Sequence, residues 1–404
     1  MRYCALVLTL IAVGYLATMA CHKDVAQTTK SQPLDVPTVL RPVPAILNED
    51  TLPPVAATEV KIKVNAGPFE FDRAQFVDEN HGWAMSNNGI YRTTDGGNHW
   101  ERLAQEPGKD AYFTSFSFVD ESHGWLIIIR TDTTKSYGLG QSSDIMITTD
   151  GGTSWKLQAT FPNEIQLRNI RFLNVNEGLA VGERGLENRV DRAELFVLGT
   201  VNGGKDWNDI SGPAKAAFKN EWGAANDRGE NIEWTPSSIV LLTQGGRIMR
   251  TTDRGKTWST VVILKDERPE GFTSSTSFRK VALDPEEKFR VVAAATGDGY
   301  WGDFVVNEDG RWNSYELRLT PILDAVFLSQ KDIVACGLNR RLTNEKSNLK
   351  DAGVVLRSFD NGRSWQTIYR SKSADTFFYL TKIKDNDFYA VSDTGTFLRF
   401  TLQQ

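Results

Sequence analysis

The chain has 404 residues, with hydrophobic residues at 40%, charged residues at 24%, 33 Gly and 11 Trp, the profile of a folded globular body rich in turns. That excludes a disordered, collagen-like or polytopic membrane chain. Lys plus Arg is 46 against 51 Asp plus Glu, and the net charge of −5 offers no field to attract nucleic acid.

Residues 1–20 read as an export signal: Arg2, an apolar run from Tyr3 to Ala17, then small residues before Cys21. The run is too short for a membrane span, which needs roughly 20 residues. Thr18-Met19-Ala20-Cys21 resembles a bacterial lipobox, which implies acylation of Cys21 and attachment to a membrane surface; an ordinary signal peptide is the alternative. With Cys4 and Cys21 in this region, lone Cys336 leaves no disulfide framework and reads as a small buried strand residue. Residues 21–58 hold six of the 14 prolines (Pro33, Pro37, Pro42, Pro44, Pro53 and Pro54) and no sustained periodicity, which predicts a flexible tether.

From residue 59 onward one pattern recurs, Thr/Ser-x-Asp-x-Gly-x-x-Trp. It spans Thr93–Trp100, Thr148–Trp155, Thr200–Trp207 with Asn202 in place of the acid, Thr251–Trp258 and Ser358–Trp365, with a shortened copy at Asn307–Trp312. Its acidic or Asn position falls at Asp95, Asp150, Asn202, Asp253, Asp309 and Asp360, every 51 to 56 residues, which is one four-stranded sheet per repeat. The Asp and hydroxyl accept the turn's own N–H groups, Gly permits φ > 0, and Trp (Trp100, Trp155, Trp207, Trp258, Trp312, Trp365) folds over the turn. These residues are structural. His81 and His123 share one place in Asp-Glu-x-His-Gly-Trp turns and are repeat residues; no metal or cofactor is expected.

With the boxes at C–D hairpins, three strands follow the last box, near Phe377–Lys382, Phe388–Ser392 and Gly395–Thr401. The missing fourth is supplied by the alternating Glu59–Val64. An all-β, seven-bladed β-propeller of four-stranded blades over residues 59–404, its last blade closed by an N-terminal strand, is the predicted fold.

The boxes resemble the Asp-box, or bacterial neuraminidase-type, repeat. His81-Gly82-Trp83-Ala84 followed by Gly89-Ile90-Tyr91-Arg92-Thr93-Thr94-Asp95-Gly96-Gly97 and Trp100 is most similar to the photosystem II assembly factor-like propellers. That resemblance implies a propeller acting as an assembly scaffold. Sialidases share the box, and a glycan-binding or glycoside-hydrolysing propeller is the rival; their Arg-Ile-Pro is absent here. An inhibitor or immunity protein is a third reading. Gly297-Asp298-Gly299-Tyr300-Trp301-Gly302 fits a phosphate-loop pattern but opens no helix, and reads as a hairpin.

Strand alternation puts every B–C and D–A connection on the face opposite the boxes. The long ones, Arg130–Ser143, Glu183–Ala193, Asn339–Ala352, Ser211–Ile232 and Lys265–Ser277, mark that face as the binding face. The three B–C insertions carry no net negative charge, which favours an anionic partner patch. Arg130, Tyr137, Arg184, Arg189, Arg192, Trp222, Tyr300, Trp301, Arg340 and Arg341 are the candidate contacts, solvated loop side chains being the alternative. The expectation is a non-catalytic, lipid-anchored propeller at the bacterial cell envelope, facing the periplasm or cell surface, that binds another envelope protein.

Overall fold

Each copy of the repeat forms one antiparallel sheet of strands A to D counted outward from an axis, as alternating strands joined by tight turns require. The computed structural model describes residues 38–402 apart from 41–42, 49–56, 60–72, 87–88, 104–106, 135–139, 163, 187–188, 218–228, 244, 265–276, 284–290, 298–300, 309–310, 319, 329–331, 340–351, 372–375, 385 and 394–396. Blade 1 runs from Arg73–Phe76 to Glu101–Leu103, blade 2 from Ala111–Phe118 to Lys156–Phe161, and blade 3 from Ile165–Phe172 to Asn208–Asp209. Blade 4 runs from Gly229–Thr235 to Ser259–Leu264, blade 5 from Ser277–Leu283 to Arg311–Arg318, and blade 6 from Ile322–Phe327 to Ser364–Arg370. Blade 7 is Phe377–Lys384, Asp387–Ser392 and Phe397–Thr401, with Ala57–Glu59 outermost. This is the seven-bladed propeller the repeat predicts.

One aromatic device joins successive blades and also closes the ring. Trp83, on strand B of blade 1, stacks on Phe118 of blade 2 with centroids 3.8 Å apart and donates Nε1–H to the Gly151 carbonyl in the blade 2 box at 2.9 Å. Trp125 repeats this on Phe172 and Gly203 of blade 3. At the closure Tyr389 of blade 7 stacks on Phe76 of blade 1, and its hydroxyl donates to the Gly96 carbonyl at 2.6 Å. Burial pushes the Tyr389 phenol up to about 12, so it stays a donor. Glycine as the first residue of the B strands of blades 1 and 2 fits the same packing: a Cβ on Gly82 or Gly124 would sit 2.6 and 2.4 Å from the Phe76 and Phe118 rings. Tyr389→Phe keeps the stack and removes only the bond, so a loss of about 1–2 kcal/mol in urea unfolding is expected.

The boxes fold as their composition requires. In the first, Thr93 Oγ1 donates to Asp95 Oδ1 at 2.9 Å and accepts the Gly97 N–H at 2.8 Å, Asp95 accepts the His99 N–H at 2.9 Å, and Trp100 Nε1 donates to the Gly97 carbonyl at 3.0 Å. Gly97 lies at φ +85°, a region glycine occupies without cost. The second, fourth and sixth blades repeat the hydroxyl and carboxylate bonds with Asp150, Asp253 and Asp360, and blade 6 also repeats the tryptophan bond, Trp365 Nε1 donating to the Gly362 carbonyl at 2.9 Å. Asn202 does the same work in blade 3, accepting the Asp206 N–H at 3.0 Å. The shortened copy is a plain hairpin, Asn307 facing Trp312 and Glu308 facing Arg311. His99 pairs with Asp95 inside the first box, and His81 and His123 pair with Asp78 and Asp120 in the A–B turns of blades 1 and 2; no metal-binding cluster occurs among the described residues.

The Ser154 hydroxyl and N–H, with the Thr148 hydroxyl, hold Asp150 down to about 2. At Asp95, Asp253 and Asp360 burial pushes upward, yet the turn hydrogen bonds outweigh it and the values end below 3.8. A carboxylate with a folded value below its unfolded one stabilises above the unfolded value and loses that contribution as pH falls through the folded one. Melting temperature should therefore fall as pH drops from about 4 toward about 2. Asp150→Asn, which copies Asn202, should keep the neutral-pH melting temperature and make this acid limb shallower by one carboxylate's share, checked by calorimetry across that range.

Three expectations are corrected. The closing strand is Ala57–Glu59, antiparallel to Leu398–Phe400, one step before the predicted Glu59–Val64; residues 60–64 lie outside the described residues. Part of the predicted tether is strand. Thr38–Leu40 pairs in parallel with Val262–Leu264, Val43–Pro44 with Tyr315–Glu316 and Ile46–Asn48 with Ser364–Gln366. These segments add a fifth strand to blades 4, 5 and 6 in turn. Backbone pairing at a sheet edge needs no apolar periodicity, so composition alone reads the strap as a linker. Third, Glu183–Ala193 is not a loop: strands B and C of blade 3 run on to Leu186 and from Arg189, a longer hairpin.

Candidate binding site in the axial channel

The seven A strands surround the axis, each beside the next, with blade 7 returning to blade 1 and blade 1 reaching blade 2 through Arg73–Ser115 and Gln75–Phe118 hydrogen bonds. A bulge in strand A of blades 3, 4, 5 and 6 falls at the same place, between Leu167 and Asn169, Gly229 and Asn231, Phe278 and Lys280, and Ile322 and Asp324. It draws the backbone against the facing strand. A Cβ on Gly182 or Gly337 would lie 1.9 Å from the Gln166 or Pro321 carbonyl oxygen, so only glycine fits. After the bulge the register brings one column to the same height: Arg73, Ser115, Asn169, Asn231, Lys280 and Asp324, each three residues before the last A-strand apolar residue of its blade. Every member is polar, and each is followed by an apolar residue, Ala74, Phe116, Ile170, Ile232, Val281 and Ala325 in turn.

Neighbouring members bond to one another. Arg73 Nη1 donates to Ser115 Oγ at 2.8 Å, which also accepts the Ile170 N–H at 3.2 Å. Asp324 Oδ2 accepts the Leu380 N–H at 2.9 Å and lies 3.7 Å from Lys280 Nζ, while Oδ1 accepts the Ala325 N–H. Burial pushes the Asp324 carboxyl up, and Lys280 pulls it back only in part. The buried Asn231 Oδ1 has no hydrogen-bond partner among the described residues.

A cavity of about 270 Å³ lies on the axis, lined by A-strand residues of all seven blades. Its charged groups are Arg73, Arg171, Lys280 and Lys382 against a single carboxylate, Glu233. Arg171 Nη2 lies 3.4 Å from Glu233 Oε2, and Lys382 Nζ donates to the Leu328 carbonyl at 2.9 Å. A cationic site thus sits in a chain of net charge −5, where low-dielectric walls strengthen its hold on an anion. Glycoside hydrolysis needs two carboxyl groups flanking the bond. Among the described residues lining the cavity one is present, and it is ion-paired.

Of the contact residues named from sequence, the two whose side chains are described, Arg130 and Arg184, do not line the cavity. Arg130, at the end of strand B of blade 2, donates to Asp144 at 2.6 Å and to the Pro107 carbonyl at 3.3 Å. Arg184 pairs with Asp209 at 2.8 Å and lies over the Phe196 ring at 4.2 Å. Arg189, Arg192 and Trp301 fall in strands Arg189–Thr200 and Trp301–Glu308, and their side chains lie outside the described residues. Tyr137, Trp222, Tyr300, Arg340 and Arg341 also lie outside them, as does Cys21. Gly297 and Trp301 pair across a B–C hairpin, as expected of the false phosphate loop. Cys336 is fully buried in strand B of blade 6. The cavity is built by the middle and A–B ends of the A strands, toward the box rim and away from the B–C ends of the strands. The missed residues are Arg73, Arg171, Lys280 and Lys382; aligning the repeats on the last apolar residue of each A strand would have exposed them, Arg73 and Lys280 three positions before it and Arg171 and Lys382 one before.

No family model matches the chain, and no curated protein matches it. Among solved structures it is similar to YCF48 bound to a D1 peptide, at 18% identity and TM-score 0.56, covering 89% of this chain and 100% of that one. YCF48 from Cyanidioschyzon merolae matches at 16% identity and TM-score 0.57, covering 85% and 98%. The GH74 xyloglucanase of Xanthomonas campestris matches at 14% identity and TM-score 0.57, over 87% of this chain. This chain spans 54% of that enzyme's length. At these identities the likeness establishes one thing, that the chain folds as a seven-bladed propeller of the kind these proteins share.

Proposed function

We propose that this propeller is a non-catalytic assembly or accessory factor that binds another protein through its axial channel. The observation that carries the reading is the four-cation cavity with one paired carboxylate, a site suited to an acidic side chain or a carboxy terminus. The likeness to a propeller described with a bound D1 peptide supports a peptide or protein ligand. The export signal and the lipobox-like Cys21 extend the reading to a lipid-anchored protein of the cell envelope, in which Cys21→Ala releases the chain from membranes.

A glycan-binding or glycan-cleaving propeller is the second reading, favoured by the likeness to the GH74 xyloglucanase. A fluorogenic glycosidase panel that includes xyloglucan oligosaccharides, run beside a glycan array, separates the two. Silence in both supports the protein-binding reading, and turnover of any glycoside overturns it.

A further inference from the structure

The strap along blades 4 to 6 shows what this fold does with an outer groove. Between blades 5 and 6 the Ala45 N–H donates to the Glu316 carbonyl at 2.9 Å, and the Ile46 N–H donates to the Arg363 carbonyl at 3.0 Å. Ala45 and Leu47 turn inward onto the cluster holding Phe304, Tyr315 and Trp365, while Val43 and Ile46 remain exposed. Beneath the strap Trp365 is 0% exposed.

The corresponding groove between blades 2 and 3 has about 600 Å³ of space, walled by Ala159, Thr160 and Phe161 on one side and by Val201, Lys205 and Trp207 on the other. The equivalence is residue by residue. Glu316 and Ala159 each stand four positions after their box tryptophan, Trp312 and Trp155, and Arg363 and Lys205 each stand two before theirs, Trp365 and Trp207. In blade 4 the strap pairs with Val262, Ile263 and Leu264, which match Ala159, Thr160 and Phe161 counted from Trp258. Yet Lys156–Phe161 has no outer neighbour among the described strands. Trp207, Ala159 and Phe161 are only partly buried, and Val201 is 74% exposed. Blade 1 offers an outer strand of three residues, Glu101–Leu103, and blade 3 offers two, followed by the helix Ser211–Ala216. Blade 2 therefore presents the longest open edge among the described blades, and an unpaired edge is a template for a further strand.

We propose that the groove between blades 2 and 3 takes an extended segment of a partner protein, which pairs in parallel with Lys156–Phe161. The segment donates backbone N–H groups to the Ala159 and Lys205 carbonyls and turns small apolar side chains onto Trp207, as Ala45 and Leu47 do on Trp365. This deepens the protein-binding reading with a second contact independent of the axial cations.

The test uses the full chain and a synthetic peptide of the strap sequence Pro42–Asn48 as the probe, followed by hydrogen–deuterium exchange and fluorescence anisotropy. The expected result is slowed exchange at Lys156–Phe161 and Lys205–Asn208. Val201→Arg should weaken the peptide about tenfold or more, and Phe359→Arg, the matching exposed residue of blade 6, should leave it unchanged. Protection confined to the outer strands of blades 4 to 6 would mean exchange with the chain's own strap. Protection that rises with protein concentration in the absence of peptide would mean a second copy, and either result overturns the proposal. Neither measurement touches Arg171 or Lys382, so failure here is distinguishable from failure of the axial site.

Discussion

A chain that begins at residue 60 is expected to lose on the order of 5 kcal/mol relative to one that begins at residue 36, taking about 1 kcal/mol for each backbone hydrogen bond removed. The shorter chain lacks Ala57–Glu59, so blade 7 ends on the edge strand Phe397–Thr401, and the outer strands of blades 4, 5 and 6 lose the strap. Leu47 also leaves the half-buried seat it holds against the blade 5 and 6 cluster. Open edges invite pairing between copies, so the shorter chain should aggregate at concentrations where the longer one is monomeric. Urea unfolding followed by tryptophan fluorescence, with light scattering, checks both effects. Equal stability of the two chains would show that the strap contributes nothing to closure.

Trp365→Ala should cost about 3–5 kcal/mol, the range for emptying a large buried aromatic site. The side chain is fully buried, its Nε1 donates to the Gly362 carbonyl at 2.9 Å, and its ring meets Phe304 of blade 5 edge-on with centroids 4.9 Å apart. The hole would open between two blades beneath the strap, where neighbouring backbone cannot collapse into it. Trp207→Ala is the internal control. It occupies the same box position in blade 3 but is only partly buried, and its Nε1 has no hydrogen-bond partner among the described residues. Its cost should be roughly half as large. Equal losses for the two would mean that the strap does not decide how deeply a box tryptophan is buried.

The ring and its phasing were legible because the box is a chemical necessity of one turn. Hydroxyl, carboxylate or amide, glycine and tryptophan must stand at fixed offsets, as Thr93, Asp95, Gly97 and Trp100 show. The strap was not legible, since segments of two or three residues held by their backbones leave no side-chain signature, and Pro42 and Pro44 read naturally as linker. The axial site was missed for a different reason. Its residues come one per blade, some 50 positions apart, and the A-strand bulges before Asn169, Asn231, Lys280 and Asp324 shift the alternation that would mark them as facing together. Loop length drew attention to the opposite rim, while Arg130 and Arg184 there are engaged with Asp144 and Asp209.

The most direct test of a protein-binding axial site is affinity capture from detergent-solubilised envelopes, comparing the native chain with an Arg171→Glu, Lys382→Glu double variant of matched melting temperature. Both residues line the cavity, and reversing two of its four cations should weaken an acidic ligand about 100-fold or more. The result expected is one protein recovered in stoichiometric amount with the native chain and lost with the variant. Recovery of the same proteins by both chains would contradict a binding role for the channel.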